Sequence, residues 1–243
     1  RMFILDYVRH GNKEMLDAAL SCLDAWMETQ FPNGLFPTNY ARHISREYVP
    51  GDICNYGWAG AEAVRSYALL KSLGISRERY LEFAVRLCDF FVEHYDERDG
   101  FGIRWDMQGN RADSGSNTSG GFMIMALIEL YRETGGKKYL DCARKSFELY
   151  KQRDIDRFIF TGGALDCGGM DKECAYPWIL TSLDLLEITG DEGCLETALK
   201  AAGYFWSWAF QYDALYPPES DFSKYGYYTS GGTAISTLHP AID

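Results

Sequence analysis

Four stretches of the chain share one pattern of apolar and polar positions. They begin at Leu16, Leu81, Leu140 and Leu195, and read LDAALSCLDAWMETQ, LEFAVRLCDFFVEHY, LDCARKSFELYKQ and LETALKAAGYFWSWAF. In each, apolar residues recur at i, i+3, i+4 and i+7 with charges between them, which predicts an amphipathic helix. The leading leucines stand 65, 59 and 55 positions apart, the scale of a helical hairpin repeat. Three of these helices are preceded by one of another kind: WAGAEAVRSYALLKSL, GGFMIMALIELYRET and ECAYPWILTSLDLLEIT, followed by Gly74, Gly135 and Gly190. A glycine there is the expected left-handed C-terminal cap. These second helices are small or apolar on most sides and read as an inner layer, with the leucine-led helices outside them.

The connections are unequal. Links from inner to outer helix are short, around Gly74, Gly135 and Gly190, whereas links from outer to next inner helix run to about twenty residues (near 31–56, 96–118, 153–172 and 212–231), well beyond the usual helix connection. The long loops therefore emerge together at the end where the inner helices begin, and long loops on a rigid scaffold are where sites are built. Aromatic segments follow each outer helix, GLFPTNY (34–40), GFGIRWD (100–106), RFIFTGG (157–163) and ALYPPES (214–220), and their alternation suggests short strands across that end.

Acidic residues fall in register at the same level. Asp52 lies 22 residues before Gly74 and Asp113 lies 22 before Gly135; Asp166, Asp171 and Glu173 lie 24, 19 and 17 before Gly190. Each one alone reads as a helix cap. A cap needs one short polar side chain, however, and the third loop, GGALDCGGMDKECAYPW (162–178), offers three carboxylates and Lys172. Pro177 is expected to disturb regular helix at this point. The glycine- and serine-rich SGSNTSGG (114–121) has no GxxxxGK[ST] and no strand before it, so it reads as a capped loop and not a phosphate cradle.

Composition narrows the partners. The net charge is −11 and 47% of the 243 residues are hydrophobic, which describes a globular chain and argues against nucleic acid or an anionic membrane surface. No apolar run is long enough to span a membrane, and the opening RMFILDYVRHGNKE lacks the features of a secretory signal. Seven cysteines form an odd set without a CxxC pair, and the four histidines (His10, His43, His94, His239) have no metal-binding spacing. The cysteines read as small buried hydrophobes of a reducing compartment. No cofactor and no metal are expected. A cytoplasmic location is the expectation, with a secreted or periplasmic one the alternative if an upstream signal was removed.

Alternating inner and outer helices at about 60 residues per pair, with long aromatic loops at one end, resemble the six-hairpin glycosidase superfamily. GGALDCGGMDKE, LDLLEITGDEGCLETA and YYTSGGTAIS resemble uncharacterised bacterial members of it. The resemblance covers essentially the whole chain and implies an all-α fold, an (α/α) toroid whose inner helices ring a funnel. The pattern holds three complete inner–outer pairs and stops at GGTAISTLHPAID, where another inner helix is expected. Residues 1–243 thus read as a single toroid domain, an incomplete portion of an (α/α)6 barrel and a fragment of a longer chain.

The resemblance implies a glycoside hydrolase with a carbohydrate substrate. Such hydrolysis needs a carboxylic acid and a second carboxylate about 5–10 Å apart, and packed helix axes lie about 8–10 Å apart. Glu173 is the expected acid, through desolvation by Tyr176 and Trp178, with Asp113 or Asp52 as partner. Trp58, Trp105 and Tyr212 are candidates to stack on sugar rings, with Asp106, Asp166, Asp171 and Arg104 bonding hydroxyls; Arg104 and Arg111 are candidates to hold a uronate. A sugar epimerase or polysaccharide lyase on the same scaffold is the first alternative, working through His or Tyr. A non-enzymatic helical-repeat scaffold is the second, against which the length of the units and the one-sided loops argue.

Overall fold

Where apolar residues recur at helical spacing and a glycine follows, the chain turns back on itself. A computed structural model describes residues 1–38, 50–162 and 169–233. Among them stand α1 (Met2–His10), α2 (Lys13–Met27), α3 (Ile53–Ser72), α4 (Glu78–Glu93), α5 (Gly120–Thr134), α6 (Lys137–Arg153), α7 (Ala175–Thr189), α8 (Gly193–Ser207) and the short α9 (Asp221–Lys224). The first eight form four hairpins, α1–α2, α3–α4, α5–α6 and α7–α8, and α3, α5 and α7 pack side by side as inner helices. Gly74, Gly135 and Gly190 take φ of 74°, 69° and 72°, the left-handed geometry that ends a helix at little cost only for glycine.

One hairpin exceeds the expectation. The opening residues form α1, which ends on left-handed Gly11 (φ 68°) and folds back onto α2, so a further inner-type helix precedes the first outer one. The next inner helix expected after GGTAIS falls at 234–243, outside the described residues. The inner helices are also less uniformly apolar than expected. Arg65 of α3 bonds Glu129 of α5 at 2.7 Å, and Arg132 of α5 bonds Asp184 and Glu187 of α7 at 2.7 and 2.5 Å. These pairs form a ladder between neighbouring inner helices, beside a groove of about 420 Å³ lined by α1, α3 and α5.

Packing is tightest between α3 and α5. A Cβ on Gly57 would lie 2.2 Å from the carbonyl carbon of Phe122 and 2.4 Å from the amide nitrogen of Met123, so the two backbones are in contact there. Between inner and outer layers the core is aromatic: Phe83, Phe91, Phe101, Phe147, Tyr150 and Trp178 are fully buried.

Of the four aromatic segments expected as strands, 100–106 alone contains one among the described residues. It is β2 (Arg104–Trp105), paired antiparallel with β1 (Gly51–Asp52) so that Gly51 faces Trp105 and Asp52 faces Arg104. Thr161 makes an isolated bridge to Met170. Residues 34–38 and 214–220 are turns and irregular chain, tethered by side chains in place of a ladder. No helix among the described residues is long and apolar enough to cross a membrane. Cys54, Cys88, Cys142, Cys174 and Cys194 are buried and Cys22 is exposed; burial pushes Cys88 and Cys174 well above the ordinary thiol range.

Candidate active site at the mouth of the inner helices

Three inner helices begin at one level, and their first turns are joined by rings. Trp58 of α3 stacks on Phe122 of α5 (centroids 5.2 Å apart) and on Tyr176 of α7 (5.4 Å apart). Phe122 is buried, but Trp58 remains 40% exposed. Beside it a cleft of about 250 Å³ is lined by Trp26, Phe36, Pro37, Asn55, Trp58 and Glu62, among others. An apolar ring edged by an amide and a carboxylate suits a ligand with apolar faces and a hydroxyl rim.

Asp52 ends β1 and caps α3. Its Oδ1 accepts from the Asn55 amide N–H at 2.9 Å and its Oδ2 from Asn55 Nδ2 at 2.7 Å, the N-cap geometry that satisfies an orphan donor of the first turn. The carboxyl is only 4% exposed. Burial raises its pKa, opposed by the Asn55 bonds and the Arg104 charge. A raised folded value means that folding disfavours the ionised form. The penalty is absent below the ordinary aspartate pKa of about 3.9 and is incurred as pH rises from there through the folded value. Asp52→Asn keeps an amide oxygen for the cap and removes the buried charge, at the loss of the bond that Oδ2 accepts from Asn55 Nδ2. Its melting temperature relative to the parent is expected to rise as pH increases from about 4 to neutral; an unchanged difference across that range in a thermal melt series would refute the assignment.

Arg104, cross-strand from Asp52, forks onto Asp113: Nε to Oδ2 at 2.5 Å and Nη2 to Oδ1 at 3.0 Å. This two-point geometry fixes the Asp113 carboxylate, and the Arg104 charge is also felt by Asp52. The turn between strand and Asp113 is organised by Asp106, whose Oδ1 accepts from the Gln108 and Asn110 amides at 2.9 and 2.8 Å; these bonds hold its pKa below the usual range.

Several expected ligand-binding residues are committed to the protein instead. Trp105 is 3% exposed, donates its indole N–H to the Phe101 carbonyl at 2.8 Å, and is packed by Phe90, Phe91 and Arg111. With its faces covered it anchors the loop and is no sugar platform. Asp106 holds a turn, Arg104 holds Asp113, and Arg111 bonds the Gly100 carbonyl at 2.7 Å, so a uronate-binding pair is not what these arginines form. Tyr212 is exposed, five residues beyond the end of α8. Asp166 lies outside the described residues.

The third loop begins α7 through a 3-10 turn at 172–174. Buried Asp171 caps it, accepting from the Glu173 amide at 2.7 Å. Pro177 stands in the first turn of α7, where amide groups have no intrahelical partner, so the helix is regular from Ala175 onward. Trp178 does not cover Glu173: it is enclosed by Phe147 and Tyr150 and donates to the Thr118 carbonyl at 2.9 Å, locking α7 against α5. Glu173 is half-buried, and among the described residues no side-chain hydrogen bond or ion pair holds its carboxylate. Among the described candidates, Asp52, Asp113, Asp106 and Asp171 all serve local structure and Glu173 does not.

Sequence reasoning passed over Asn55 and Glu62 as site residues, and it named Tyr176 only as a cover for Glu173, not as the ring stacked on Trp58. Asn55 was legible as the residue three after a capping aspartate, whereas Tyr176 and Glu62 acquire their place only through the packing of α3 against its neighbours.

No family model matches the chain, and no curated protein matches it. Solved structures are similar to it in fold. The alpha-mannanase of glycoside hydrolase family 76 from Bacteroides thetaiotaomicron aligns with TM-score 0.59 at 16% identity, over 86% of this chain and 55% of that one. The cellobiose 2-epimerase of Spirochaeta thermophila aligns with TM-score 0.62 at 16% identity, over 93% and 61%. The family 76 alpha-1,6-mannanase of Salegentibacter sp. aligns with TM-score 0.59 at 18% identity, over 90% and 60%. The fold is thus similar to the (α/α) toroid of these enzymes, with four helical hairpins among the described residues. The chain spans between about half and three fifths of the length of these three structures.

Proposed function

We propose that the protein is a carbohydrate-active enzyme, a glycoside hydrolase that works by carboxylate acid/base catalysis at the mouth of its inner helices. The observation that carries this reading is the convergence of α3, α5 and α7 on the half-exposed ring of Trp58, with acidic residues on the turns that lead into α3 and α7. A pyranose presents apolar C–H faces to such a ring and hydroxyls to the polar rim of the cleft beside it. Glu173, free of structural duty, is the proton donor to the leaving oxygen; Asp113, oriented by Arg104, or Asp52 is the second carboxylate.

An epimerase is the second reading, favoured by the likeness to the cellobiose 2-epimerase. Against it stands the placement of the two described histidines. His94 stacks on Phe90 with centroids 4.1 Å apart and its Nδ1 lies 2.8 Å from the Phe90 carbonyl oxygen, while His10 ends α1 at the opposite end from the mouth.

The two chemistries leave different products. Incubated with an α-1,6-linked mannooligosaccharide in ¹⁸O-labelled water, the protein is expected to release new reducing ends, each carrying one heavy oxygen. Conversion of cellobiose to its C2 epimer, with no new reducing ends from either substrate, would replace the hydrolase reading with the epimerase one.

A further inference from the structure

The loop that follows α8 differs from the other long connections. Residues 209–233 close on themselves: the Phe210 amide donates to the Gly232 carbonyl at 2.8 Å and the Gly231 amide to the Phe210 carbonyl at 2.9 Å. The Thr229 hydroxyl donates to the Tyr212 carbonyl and accepts from the Ala214 amide, both at 2.7 Å, and Asp213 accepts from the Ser230 amide at 2.9 Å. Inside this frame Tyr216 stacks on Phe222 (centroids 4.8 Å apart), and Tyr227 packs on both. The excursion is therefore ordered by its own side chains.

On this frame stand Tyr212, Tyr225 and Tyr228, and the last two are 86% and 74% exposed. Water-exposed rings held by an ordered loop are a recognition surface, because each tyrosine brings a large flat face and a hydroxyl while having little conformational freedom to lose. The location is fixed by topology. α7 and α8 are joined by the short link at Gly190, so the C-terminus of α8 and the loop leaving it lie at the end where α7 begins. That is the end of Trp58 and Glu173. Charge narrows the occupant: Asp213, Glu219 and Asp221 against Lys224 leave the loop net negative, on a chain of net −11, which disfavours an anionic strand.

We propose that Tyr212, Tyr225 and Tyr228 form an outlying platform for a neutral polysaccharide chain, holding sugar units beyond those at the Trp58 cleft. The substrate of the mouth is then a polymer and not a disaccharide. This rests on the carbohydrate reading given above, so the test separates binding from catalysis. The full-length protein and its Tyr225→Ala/Tyr228→Ala variant are run in native gels containing soluble α-1,6-mannan, with a soluble β-1,4-glucan as second probe. In parallel, turnover of the polymer and of a matching trisaccharide is measured.

Retardation of the parent by one polymer, weakened about tenfold in the variant, is the expected result; loss of two ring contacts is worth about that much. The KM for the polymer rises in step, while kinetics on the trisaccharide and the melting temperature stay unchanged. Equal retardation of parent and variant overturns the platform, as does a parallel loss on polymer and trisaccharide. If no glycan is turned over but the retardation is lost in the variant, the platform stands and the catalytic reading falls.

Discussion

Glu173→Gln is expected to lower turnover by at least about a hundredfold, the smaller end of what a positioned proton donor contributes, with no change in melting temperature. The structural reason for the second half is specific. The Asp171 carboxylate grips the backbone amide of residue 173, not its side chain, so glutamine leaves the cap, the 3-10 turn and the start of α7 as they are. Glutamine is also nearly isosteric, and among the described residues no ion pair is lost. Asp113→Asn should fail differently. It gives up one arm of the Arg104 fork, so activity and stability fall together, and the freed guanidinium faces Asp52 across the β1–β2 pair. Stopped assays of product release, paired with thermal melts, distinguish the two. Normal turnover in Glu173→Gln would remove Glu173 from the chemistry and leave the carboxylates around Arg104 as the acid/base candidates.

The contrast between these residues shows what was legible before any coordinates. The capping glycines could be read because a left-handed backbone position tolerates little else, and the register they set located Asp52 and Glu173 at the inner-helix starts, whereas Asp113 stands seven residues ahead of α5 because α5 is shorter than α3. The periodicity of α2, α4, α6 and α8 survived because each buries one face and wets the other. α1 was passed over because nine residues, MFILDYVRH, carry too little pattern to separate a helix from any apolar opening. Among site residues, Trp105 was misjudged for a physical reason: the sequence shows that a ring is present but not whether its faces are covered. Trp58 and Trp105 look alike as letters. One stands half exposed at the junction of three helices and the other is walled in by two phenylalanines and an arginine. The Arg104–Asp113 fork was hidden too, because it depends on the tight turn that Asp106 organises between them. Long-range packing, which sets exposure and pairing, is what a local pattern does not encode.

The same packing makes the second large effect. Gly57→Ala is expected to destabilise the protein by about 2 kcal/mol net, lowering the melting temperature by about 4–8 °C, although alanine is the better helix former by about 1 kcal/mol. The obstacle is backbone. The new methyl would stand 2.2 and 2.4 Å from the Phe122 carbonyl carbon and the Met123 amide nitrogen, atoms that cannot rotate away, so α3 and α5 must separate. Separation stretches the Arg65–Glu129 pair and moves Trp58, the next residue, relative to Phe122, so affinity for a glycan should fall with stability. Gly60, one turn further along α3, is the control. A methyl there meets only the Ala126 Cβ and a Leu87 terminal carbon, both at 3.1 Å. The Leu87 methyl can rotate aside and the Ala126 Cβ, fixed to α5, needs only a few tenths of an ångström of helix adjustment, so the gain in helix propensity leaves Gly60→Ala much milder than Gly57→Ala. Chemical denaturation of the two variants decides the point. If both glycines tolerate alanine equally, α3 and α5 do not touch at Gly57, and the stack that joins the three helix mouths loses the close approach that positions it.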